Sequence, residues 1–106
     1  MSDWIDVAAV DEIEAGGVMV VEVNGAEVAV FNIDGEFHAL ADVCTHDGGT
    51  LADGIVEGHE IECPRHGARF DIRTGRVTAP PAYEAVTTYP VRVVNSMVQV
   101  RDACTD

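Results

Sequence analysis

Two short stretches hold the residues whose types and spacing could do chemistry. One is Cys44-Thr45-His46-Asp47-Gly48-Gly49, and the other is Cys63-Pro64-Arg65-His66-Gly67-Ala68. Each offers one thiol and one imidazole within a few residues, followed by glycine, and sixteen residues separate His46 from Cys63. A thiolate and an imidazole this close along the chain meet one metal centre only if the backbone turns sharply around it. Glycine permits that turn and lets backbone N–H groups come near. Two soft sulfurs and two borderline nitrogens suit zinc or iron–sulfur chemistry. A structural zinc site usually groups its cysteines together and its histidines together. Here the ligand types alternate by loop, which weighs against a zinc-stabilised interaction module, the competitor that metal analysis would select.

The elements that must position these loops read as strands. Val18 to Val23 and Glu27 to Ile33 are joined by Asn24-Gly25, a strong hairpin signal because both turn residues must accept positive φ. Asp34-Gly35 turns the chain into a third strand, Phe37 to Ala41. Near the end, Thr88 to Val94 and Met97 to Arg101 flank Asn95-Ser96, with valines alternating against Arg92, Gln99 and Arg101. Trp4 to Val7 supplies one more strand. Asp11 to Glu14 has capping-box chemistry, but Gly16-Gly17 limits any helix to one turn. Residues 42 to 81 differ: they are rich in Gly, Asp, His, Cys and Pro, with short strands only at Glu60 to Cys63 and Ala68 to Ile72. This is a loop-rich insertion on an all-β scaffold, the usual place for functional side chains.

The 106 residues fit one domain, 1 to 106. The start lacks the basic and apolar regions of a secretory signal, and no apolar run approaches the roughly 20 residues of a membrane span. A cytoplasmic, soluble protein is expected. Three cysteines without a signal argue for metal or free-thiol chemistry over a disulfide framework. The formal net charge is −13, with nineteen acids against six arginines and no lysine. Such a surface repels nucleic acid and anionic lipid and attracts a partner with a basic patch. Acidity that serves solubility alone is the plainer reading.

Cys-x-His followed by Cys-x-x-His at this separation is similar to the Rieske motif, in which two cysteines hold one iron and two histidines hold the other. With Ala68 to Val77, Pro80-Pro81-Ala82 and Thr88-Tyr89-Pro90-Val91, the chain from about Trp4 to Arg101 resembles the Rieske ferredoxins of bacterial ring-hydroxylating dioxygenase systems. The resemblance implies an antiparallel Rieske-type β-sandwich with a cluster-binding subdomain at about 42–81. It implies one [2Fe–2S] cluster on Cys44, His46, Cys63 and His66, with the histidine edges at the tip and Pro80-Pro81 in a third loop over the cluster. It implies an electron carrier, not an enzyme: a monomer docking transiently at the cluster tip with a flavin-dependent ferredoxin reductase and a terminal oxygenase. A small Rieske subunit of another complex, such as a nitrite reductase, is the alternative.

Departures from other branches of the family sharpen this. Respiratory and photosynthetic Rieske proteins carry an extra cysteine in each loop and hydroxyl donors to cluster or ligand sulfur. The matching residues here are Gly49 and Arg65, then Ala68 and Phe70. Hydrogen bonds to sulfur stabilise the more negative reduced cluster, so their loss implies a low potential, on the order of −150 mV. Outside the motif, His38 is expected to be packed or half-exposed on its strand, His59 solvated in a turn, Cys104 a free thiol and Trp4 a packing anchor. Arg65 and Arg69 either touch a partner or balance nearby acids.

Overall fold

The computed structural model describes residues 4–42, 50–64, 67–80 and 84–101. The chain is all-β, as expected, and the described residues form eleven strands in three antiparallel sheets. The first sheet joins β1 (Trp4–Ala9), β11 (Met97–Arg101) and β10 (Val91–Val94), in that order. The second runs β2 (Val18–Val23), β3 (Ala26–Ile33), β4 (Glu36–Ala41), β9 (Thr88–Tyr89). The third runs β5 (Ile55–Glu57), β6 (Glu60–Glu62), β7 (Arg69–Asp71), β8 (Val77–Ala79). No helix among the described residues is long and apolar enough to cross a membrane.

The turns behave as their residues dictate. Asn24 and Gly25 sit at φ 50° and 87°, so the β2–β3 hairpin closes on two left-handed residues. Asp34-Gly35 and Asn95-Ser96 do the same, Ser96 at φ 65° without being glycine. The single turn expected near Asp11 is a 3-10 turn at Val10–Glu12, one residue early. Glu12, not Glu14, reaches back to the Ala9 N–H at 2.7 Å. Ile13 is only 3% exposed, and the chain must leave the turn there to bury it. Asn32 then holds the following bend: its Nδ2 donates to the Ile13 carbonyl at 2.7 Å and its Oδ1 accepts the Gly35 N–H at 2.8 Å.

β3 is an inner strand of the second sheet, and its residues enter two separate cores. Val28, Ala29, Val30 and Phe31 are all 0% exposed, because successive side chains point to opposite faces and both faces are covered. Val28 and Val30 join Val98 and Val100 in the core beneath the first sheet. Ala29, Phe31 and Ile33 join Leu51, Ile61, Cys63, Phe70 and Ile72 in the core beneath the third. The third sheet is thus held on the scaffold by a hydrophobic layer that includes a candidate ligand.

Two expectations need correction. The strand expected from Thr88 to Val94 is two strands in different sheets. Pro90 has no N–H to continue a ladder, so β9 pairs with β4 and β10 pairs with β11. Two short strands are expected within 42–81, and its described residues form four. β5 and β8, of three residues each, carry no readable alternation of their own. In β10, Val93 is 48% exposed although it faces the buried Val98, because β10 is an edge strand.

Candidate metal centre

Cys63 follows β6 directly and is 1% exposed. Its backbone closes the second loop on itself. The Cys63 N–H donates to the Ala68 carbonyl at 2.7 Å, and its carbonyl accepts the Gly67 N–H at 3.1 Å. Gly67 lies at φ 76°, the left-handed conformation that the tight turn requires. The register of β6 and β7 pairs Ile61 with Phe70 and Glu62 with Arg69. Ile61, Cys63, Ala68 and Phe70 therefore face the core, while Glu62 and Arg69 face out. Ala68 and Phe70 are 0% exposed and bring no hydroxyl to the inward face.

The other three candidate ligands, Cys44, His46 and His66, lie outside the described residues, as do Gly49, Arg65, Pro81 and Cys104. Among the described residues no three metal-donor side chains come together. What is described is how the loops are held at their ends. Before the first loop, the Asp42 N–H donates to the Glu27 carbonyl at 3.0 Å. After it, Leu51 is 0% exposed and the Gly54 N–H donates to the Leu51 carbonyl at 2.9 Å. Gly54 passes so close to the Glu62 carbonyl that a Cβ would collide with it, and Glu62 precedes Cys63. At the third loop, the Val86 N–H donates to the Gly75 carbonyl at 2.8 Å, and a Cβ on Gly75 would strike the Val86 carbonyl. A soft sulfur donor presented by a closed turn fits a ligand to an iron–sulfur cluster.

The outer face of the third sheet is acidic. Arg69 meets Glu57 at 2.9 Å, Glu60 at 3.2 Å and Glu62 at 2.8 Å. Hydrogen bonds to Glu57 and Glu60 hold its guanidinium charged even more firmly than usual. Of the two readings for Arg69, the structure supports the balancing of nearby acids. His38 is half-buried on β4, with Nε2 3.6 Å from Glu36 Oε1. His59 is exposed in the β5–β6 turn. Trp4 packs under the Arg92 guanidinium, 4.3 Å from the ring centroid, as a surface anchor. Sequence reasoning missed Asp42, Gly54 and Gly75, because an acid or a glycine in a polar loop ordinarily signals only a turn.

Comparison with known proteins follows the same line. The family profile described as the Rieske [2Fe–2S] domain matches residues 3–90. The ferredoxin component of the naphthalene 1,2-dioxygenase/salicylate 5-hydroxylase systems of a Ralstonia species is 42% identical over 99 residues, covering 93% of this chain and 95% of the relative. The ferredoxin of carbazole 1,9a-dioxygenase from Nocardioides aromaticivorans IC177 superposes with a TM-score of 0.91 at 34% identity, over 94% of this chain and 98% of that one. A chain of the complex of reduced oxygenase and oxidised ferredoxin in carbazole 1,9a-dioxygenase gives a TM-score of 0.89 at 31% identity, over 95% of this chain and 94% of that one.

Proposed function

The chain belongs to the Rieske [2Fe–2S] domain family, and from that premise we propose that it carries one cluster on Cys44, His46, Cys63 and His66 and shuttles single electrons to a terminal ring-hydroxylating oxygenase. It is the ferredoxin component of such a system and not its catalytic subunit. A flavin-dependent reductase supplies the electrons, and a cytoplasmic monomer of one domain serves both partners in turn. The observation that carries this reading is the near full-length likeness to dioxygenase ferredoxins, with both Cys-x-His and Cys-x-x-His loops present.

The cluster, when bound, supplies one-electron chemistry. The chain supplies its ligands, its burial and its field. Cys63 offers a thiolate from the core side, which keeps water from that sulfur. Ala68 and Phe70 give no O–H donor, which favours the oxidised, less negative state and sets a low potential. The net charge of −13 favours partners whose docking faces are basic.

The test is an EPR spectrum of the dithionite-reduced protein with iron, sulfide and zinc analysis. A low average g-value, with iron and sulfide present, is expected. Zinc without iron or sulfide would overturn the reading. In a reconstituted reductase–ferredoxin–oxygenase assay, electron transfer should slow as salt screens the acidic face. A permanent large subunit co-purifying with the chain would instead favour a fixed subunit of another redox complex.

A further inference from the structure

Among the described residues, the buried polar side chains are Asn32 at 7% and Asp42 at 8% exposure. Asn32 is spent on the bend after the 3-10 turn, between the Ile13 carbonyl and the Gly35 N–H. Asp42 does something different. Its Oδ1 accepts two backbone N–H groups at once, from Leu51 at 2.9 Å and from Ala52 at 2.8 Å. Those donors lie nine and ten residues further along the chain. Burying a carboxyl group is costly unless hydrogen bonds compensate, so this one is held in place by what it bridges.

What it bridges is the base of the first loop. Asp42 is fixed at the end of β4 through its own N–H to Glu27. Leu51 is buried in the same core as Cys63. Three residues after Leu51, Gly54 packs against the carbonyl of Glu62, the residue before Cys63. A continuous set of contacts therefore runs from Asp42 through Leu51 and Gly54 to the strand that presents the second loop. The segment enclosed by Asp42 and Leu51 contains Cys44 and His46.

We propose that Asp42 is a positioning residue for the cluster: its carboxylate oxygen ties the end of β4 to Leu51 and Ala52, the two ends between which the sequence of the first ligand loop runs. This role rests on the ligand reading above. Its element of chemistry is the acceptor oxygen, not the negative charge. Asp42→Asn keeps an acceptor at that place, and Asp42→Ala removes it.

The test compares both variants with the native holoprotein. Two quantities are read: the g-values of the reduced cluster, and the half-life of its visible absorption under an iron chelator. For Asp42→Ala we expect shifted or broadened g-values and a half-life about tenfold shorter, the scale of effect typical of groups that orient metal ligands. For Asp42→Asn we expect native values of both. A role confined to overall stability would leave the g-values of the remaining cluster unchanged, and that result overturns the proposal. So does an Asp42→Asn protein that behaves like Asp42→Ala. If Asp42→Ala does not accumulate, Asp42→Ser, whose oxygen falls one bond short, is judged by the same two criteria. Native protein without the low-g signal would instead sink the ligand reading itself.

Discussion

The scaffold and the site sheet of this molecule are built by different means. In β2, β3 and β4 the strands are six to eight residues long, pair in unbroken register and turn on left-handed Asn-Gly and Asp-Gly pairs. In β5 to β8 each strand has three residues. A strand that short has little ladder of its own. It is held by the core it shares with β3 and by close backbone approaches at Gly54 and Gly75. The scaffold is stabilised by repetition; the site sheet depends on a few specific contacts. Damage to the scaffold should therefore lower stability and leave the cluster in the folded chains, and damage to the site sheet should lower stability and release the cluster as well.

The sharpest break is a pair of deletions in the two cores. Phe70→Ala removes a 0% exposed ring between the third sheet and β3 and should cost about 3–5 kcal/mol. Val98→Ala removes less, from the core under the first sheet, and should cost about 1–3 kcal/mol. Denaturant unfolding gives the two costs. Iron per folded chain gives the distinction: it should fall for Phe70→Ala and hold for Val98→Ala. Equal iron retention in both would mean that the scaffold and the site sheet hold the cluster alike.

Next in size is a pair of glycines. Gly25, at φ 87°, has nothing within 4 Å of the place a Cβ would occupy. Gly25→Ala meets only backbone strain, about 1 kcal/mol. Gly75, at φ 77°, has the Val86 carbonyl there. Gly75→Ala adds a collision to the strain and should cost about 2–4 kcal/mol, moving the end of the third loop. Thermal unfolding of both variants ranks them, and a smaller loss at Gly75 would mean that the segment at Val86, just before β9, gives way easily.

The same contrast explains what the sequence could show. The hairpins were legible because turn chemistry is local: Asn24-Gly25 needs no knowledge of the rest of the chain. The family was legible because the Cys-x-His and Cys-x-x-His pair declares it by residue type and spacing. Pro90 carried a readable signal for the sheet switch, but the alternating valines after it masked the break. β5 and β8 were not legible, since three residues are too few to show a period. Nor was Asp42, because its burial depends on Leu51 and Ala52 returning to it across the loop. Long-range closure is what residue types alone do not encode.

The smallest effect concerns pH, and it also falls on the site sheet. Asp71 ends β7 and accepts a hydrogen bond from the Arg73 side chain, with Nη2 at 3.2 Å, and from the Arg73 backbone N–H at 2.8 Å. The Arg73 side-chain hydrogen bond, aided by its backbone N–H and its charge, lowers the Asp71 pKa below its ordinary 3.8. A carboxylate whose pKa is depressed by folding contributes stability above its unfolded pKa and loses it as pH falls through the folded one. The Arg73 side chain is 50% exposed, so solvent screening keeps the contribution below about 1 kcal/mol. Asp71→Asn should therefore lower stability slightly at pH 7 and flatten its decline below about pH 4, which paired unfolding curves at the two pH values would measure. A native-like decline in Asp71→Asn would assign the acid sensitivity to other carboxylates and leave the Asp71–Arg73 turn with only its hydrogen-bond geometry to contribute.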